Sequence, residues 1–185
     1  MRPGTMEDRY IQRLEKPSEA EIEERAFLAE NLAIDILNQK TSALDARLST
    51  REEDSGIADI QTHPKIDAVS YLKGKTRKPA IALQITMAED DRLLAEKMRE
   101  VALRPFVSVE GKSIPKAFVA YKRNQVETYS QDHDLAHHPE LAIYTLDRII
   151  KSLQFSLTQT KNLQEQQAIK DLIQMLEDDK RKLIS

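Results

Sequence analysis

The chain has 185 residues, 40% hydrophobic and 32% charged, with no cysteine and a net charge of −3. That composition excludes disulfides, thiolate zinc sites, a cysteine nucleophile and any global positive field that would draw nucleic acid nonspecifically. Only four glycines and seven prolines argue against low complexity, and no apolar run approaches the roughly 20 residues needed to span a bilayer. One globular core with no membrane partner is expected. The run from Met1 to Asp8 lacks the basic start and apolar stretch of a secretory signal, which makes a cytoplasmic location the expectation.

Residues 1–17 are polar and irregular. Ser18-Glu19-Ala20-Glu21 has the form of a capping box, in which the serine accepts from the third helical amide and the glutamate reaches back. The helix it opens runs to about Lys40, with Ile22, Ala26, Ala29, Ala33, Ile36 and Leu37 along its apolar face. At 100° per residue Glu30 falls inside that face, where a carboxylate needs a partner, a metal or a wet cleft. Residues 41–54 read as a charged connection, and 56–61 as a short first strand. From Lys65 the alternation is clear: Asp67, Val69 and Tyr71 share one face, and Ile66, Ala68, Ser70 and Leu72 the other. A basic turn, Lys73 to Pro79, leads to a second strand, Ala80 to Met87. Its Ala80, Ala82, Gln84 and Thr86 side is small and polar, suited to a cleft floor or a close helix contact.

Glu89 to Leu103 reads as an amphipathic helix with acids at its start, where the dipole favours them. Leu94, Met98 and Val101 mark its buried stripe, and Lys97 lies on the same arc. Phe106–Val109 and Ile114–Tyr121 are expected strands, and Val126–Tyr129 an extension of the sheet. After a polar loop, 131–138, Pro139 fits the first turn of a helix to about Leu157. A last helix, Leu163 to Leu183, completes a C-terminal hairpin packed on the body or on a second subunit. The expected organisation is therefore a polar segment (1–17), an α/β core (18–138) and a helical region (139–185).

An aspartate opening the middle strand of a helix–strand–strand–strand–helix–strand series is similar to the restriction-endonuclease-like fold of the PD-(D/E)xK nucleases. The likeness covers roughly residues 18–122 and implies an α/β (α+β) fold, a mixed central sheet flanked by helices. In that family the aspartate and a (D/E)-x-K on the next strand hold Mg²⁺ and orient the attacking water, often with a glutamate from the first helix. Carried over, the metal ligands are Asp67, Gln84 and Glu30. The catalytic positions are Asp67, Gln84 and Thr86, with Lys97 as a cation supplied from the following helix. Gln84-Ile85-Thr86 stands where (D/E)-x-K is expected. A neutral carbonyl is a weaker ligand for a hard dication than a carboxylate, and threonine brings no positive charge.

Two functions follow. One is a Mg²⁺-dependent nuclease acting on DNA, with Lys73, Lys75, Arg77 and Lys78 along the phosphate backbone, helped by Lys116, Lys122 and Arg123. The other is a catalytically inactive relative, a protein-binding or homodimeric module using the stripe Leu146, Ile149, Ile150, Leu153 and Leu157. Each site residue also has a plain alternative. Asp67 and Glu30 can be structural carboxylates, Gln84 and Thr86 can satisfy each other or nearby backbone, and Lys97 can snorkel from a helix edge. The basic turn can be a solvated hairpin tip, and that stripe can pack on its own domain. His133, His137 and His138, near Asp132 and Asp134, have a metal-like composition but no motif with a third ligand.

Overall fold

The computed structural model describes residues 18–49, 66–74, 76–88 and 91–185. The expected strand at 56–61, the segment 1–17 and Lys75 lie outside the described residues. Helix α1 (Glu19–Lys40) opens on the capping box read from the sequence: Glu21 N–H donates to Ser18 Oγ at 3.3 Å, and Ser18 N–H to Glu21 Oε2 at 2.8 Å. A tight connection leads to β1 (Leu44–Leu48), a strand within the segment expected to be a charged connection. Its short alternating pattern, Leu44 and Ala46 inward, was masked by the charges of Asp45 and Arg47 between them.

The remaining elements are β2 (Ala68–Leu72), β3 (Lys78–Met87), α2 (Asp91–Leu103), β4 (Phe106–Val109), β5 (Lys112–Tyr121), α3 (Arg123–Asp132), α4 (Pro139–Gln159) and α5 (Leu163–Ile184). Among the described residues the strands form one five-stranded mixed sheet in the order β1-β2-β3-β5-β4. Only β3 and β5 are parallel, joined by the crossover through α2, as a parallel pair requires. The β4–β5 turn places Glu110 and Gly111 at φ 51° and 74°, the positive pair that a type I′ hairpin demands. The fold is thus mixed α/β, as expected. The segment 126–129 is the exception: it belongs to helix α3, whose Tyr129 packs on α1 and donates its hydroxyl to Asp35 Oδ2 at 2.5 Å.

One face of the sheet carries α1, α3, α4 and α5 over the main core, where Leu146, Ile149 and Leu153 are fully buried. The C-terminal hairpin is therefore part of the body. Leu146, Ile149, Ile150 and Leu153 are used inside their own domain, with Leu157 partly buried beside them, which leaves that stripe unavailable to a second subunit. Asp179 pins α5 in place: its Oδ2 accepts from the Ser42 amide at 2.8 Å and its Oδ1 pairs with Lys182 at 2.7 Å. Burial pushes this carboxyl up, but Lys182 and the Ser42 amide and hydroxyl outweigh it and hold the group below its ordinary value.

Helix α4 also closes an edge. Strand β4 covers only the start of β5, and past it Phe118 N–H donates to Ser152 Oγ at 3.1 Å while the Tyr144 hydroxyl donates to the Ala120 carbonyl. Side chains of a helix thus stand in for a missing strand. On the opposite face α2 lies over β5, packing Val101 and Leu94 on Phe118 and Ala120, while Val69, Tyr71, Ala82, Val107 and Ile114 form a separate buried cluster. Among the described residues, no helix is long and apolar enough to cross a membrane.

Candidate functional site

Asp67 stands just before β2, where that strand begins to part from β3. Its amide still donates to the Leu83 carbonyl at 2.9 Å, and its Oδ2 accepts from the Ile85 amide at 2.7 Å. The carboxylate thus occupies the place a backbone carbonyl would hold in a continued ladder. One step before the pair Ala68↔Leu83, Asp67 lies opposite Gln84, and the parallel register sets Gln84 beside Phe118 and Thr86 beside Ala120. Asp67, Gln84 and Thr86 therefore share one face, the one on which α2 packs against β5. Gln84 Oε1 is buried and accepts no hydrogen bond among the described residues.

Lys116 does not belong to the basic surface expected from the sequence: it is only 3% exposed, across from Ala82 on the same face as Gln84. The signal was present: Ile114 and Phe118, two positions either side, are apolar, and a strand buried on both faces has no wet side. Burial pushes the Lys116 ammonium down to about 8; the Arg104 guanidinium adds to this and the Glu100 carboxylate opposes it. Lys97 is held elsewhere. Its Nζ pairs with Glu100 Oε2 at 3.0 Å within α2, with about a third of its side chain in solvent. The edge-of-helix reading describes Lys97 better than the catalytic one.

Glu30 is half-buried on α1, which packs against the other face of the sheet from Gln84 and Thr86. It carries polar interactions of its own, as does Asp67. The basic turn lies at the far end of the hairpin from Asp67, roughly 20 Å away at 3.3 Å per residue. There Lys73 Nζ donates to the Thr41 carbonyl at 3.1 Å, at the C-terminus of α1. Arg77 pairs with Asp45 at 3.3 Å and lies 4.2 Å above the Tyr71 ring, while Lys78 is exposed. Two of these cations thus have local structural duties, and among the described residues of the turn none rims the Asp67 cluster.

His133 ends α3 in a left-handed conformation and packs edge-on against Tyr129, while His137 and His138 pair with Asp134 and Glu140. Among the described residues, no three His, Asp or Glu side chains come together as a metal site. At the Asp67 cluster the donors facing one another are a carboxylate already bound to an amide and a neutral carbonyl oxygen. Mg²⁺ is ordinarily held by one or two carboxylates and its own waters. This pair fits a dication poorly, and Thr86 itself brings no positive charge to assist hydrolysis. No family model, curated protein or solved structure matches the chain.

Proposed function

We propose that this chain is a divergent PD-(D/E)xK nuclease-like protein that acts by binding and no longer hydrolyses phosphodiesters. The observation that carries the reading is the bond from the Ile85 amide to Asp67 Oδ2, on a helix–strand–strand–strand–helix–strand–strand frame with a parallel β3–β5 pair. The position expected to hold a metal is spent on the β3 backbone. Gln84 and Thr86 supply neither the second negative charge nor the cation that hydrolysis requires. The cytosol is the compartment that goes with this reading, and homodimerisation, if present, uses a surface other than the buried α4 stripe.

The active reading, Mg²⁺-dependent cleavage of DNA, is favoured by one observation: Gln84 Oε1, beside Asp67, is buried without a hydrogen-bond donor among the described residues. A cation there would satisfy it. The test is incubation with plasmid DNA, single-stranded DNA and RNA in Mg²⁺ or Mn²⁺, beside calorimetric titration with Mn²⁺. The binding-only reading expects intact substrates and no saturable heat at millimolar metal. Metal-dependent cleavage that disappears in Asp67→Asn would overturn it.

A further inference from the structure

Between α2 and α4, above Phe118, lies a cavity of about 400 Å³. Its floor is Val101, Ala102 and Phe118, and Met98 and Phe155 stand at its mouth, 48% and 41% exposed. The exposure of Met98 departs from its place in the apolar stripe of α2. That stripe covers the sheet at Leu94 and Val101 but at Met98 turns onto this opening. Large apolar side chains left in solvent around a concave apolar floor mark a binding surface more than a packing fault.

The charges around the cavity are one-sided. Arg99, Arg148 and Lys151 line it, no Asp or Glu does, and none of the three forms an ion pair among the described residues. Arg148 is instead oriented by Tyr144, whose hydroxyl accepts from its Nε at 3.3 Å and whose ring lies 5.3 Å beneath the guanidinium. In a chain of net charge −3, three cations around one apolar hollow, without an ion pair among the described residues, are a local reversal of sign. They complement an anion.

Polar partners beyond those cations are lacking. The Ser152 hydroxyl already accepts from the Phe118 amide and donates to the Arg148 carbonyl at 3.0 Å. A nucleobase or sugar seated here would bury edges with nothing to bond. A hydrocarbon or aryl body would not. We infer that the α2–α4 cavity binds a small amphipathic anion, with its apolar chain on Phe118 and its carboxylate-type head between Arg99, Arg148 and Lys151. This assignment is independent of the nuclease-like reading, since no residue of the Asp67 cluster takes part.

The experiment is calorimetric titration of the full chain with decanoate, decanol and decyltrimethylammonium, all below their micellar concentrations. Decanoate is expected to bind saturably at one site, and decanol and the cation at least about tenfold more weakly, the factor expected for one charge-assisted contact. The double variant Arg99→Gln/Lys151→Gln should weaken decanoate by about tenfold or more and leave decanol unchanged. Ala102→Phe should abolish decanoate binding by filling the floor; if that variant does not fold, the charge variant carries the test. Equal affinity for all three chains, or no saturable decanoate binding, would overturn the assignment. So would a concentration-dependent dimer dissociated by Phe155→Ser, which would make the cavity an interface between copies.

Discussion

On the face of the sheet packed by α1, α4 and α5, buried polar groups are nearly all paired. Tyr121 and Thr145 share a hydrogen bond of 2.7 Å, Thr145 also donates to the Leu141 carbonyl, and Thr41 caps α1 through the Leu37 carbonyl. Among the described residues of this face, Ser156 Oγ is the exception. The face beneath α2 is different. Among the described residues it holds a buried lysine without an ion pair and a buried amide oxygen without a donor, with a hollow beside Phe118. One face is built for cohesion. The other keeps groups whose burial costs stability, and such exceptions to local consistency are where binding is expected.

The comparison breaks first on packing. Leu153→Ala should cost about 2–5 kcal/mol in urea unfolding, because a fully buried side chain leaves a cavity the core cannot close. Phe118→Leu, on the looser face, should cost under about 1.5 kcal/mol, since the space beside it already permits adjustment. Equal losses would remove the distinction. Next comes Asp179→Ala, expected to cost about 2–4 kcal/mol by freeing α5 and stranding the Ser42 amide. Its carboxyl is held below the ordinary 3.8, so its contribution is fully present above that pH and is lost as acid takes it lower.

Lys116→Met tests the cost on the α2 face directly. The folded protein binds this proton less tightly than the unfolded chain, with an affinity at about pH 8 against 10.5. The cost of the buried charge is therefore present in full below about pH 8, and wild-type stability should rise between there and 10.5. The methionine variant should be about 1–3 kcal/mol more stable at pH 7. That advantage should fade by pH 10.5. Denaturation at pH 7, 9 and 10.5 checks it; a variant less stable than wild type at pH 7 would show Lys116 to be stabilising. The smallest effect belongs to Gln84→Leu, which should stay within about 1 kcal/mol of wild type or exceed it, because it removes an unpaired buried oxygen.

Much of the fold was legible. The capping box, the period-2 runs of β2, β3 and β5 and the long heptad-like stripes of α4 and α5 depend on neighbours in sequence, where periodicity is strongest. The sequence also brought Asp67, Gln84 and Thr86 to one face, because alternation and a hairpin suffice for that. It was weaker where short patterns carry charge, as in β1, and where an amphipathic helix and a strand share residues, as at Val126–Tyr129.

By itself, the sequence determined an α/β chain and a polar hairpin cluster headed by Asp67. Only the tertiary structure decided what surrounds that cluster. The parallel β3–β5 register buries Lys116, the geometry of α2 ties Lys97 to Glu100, and the length of β2 removes the basic turn to the far end. It also decided that the α4 stripe faces inward and that α2 and α4 leave a cationic hollow between them. The physical reason is common to all five. Which charges are desolvated, paired or exposed depends on elements distant in sequence, and no local period encodes that distance.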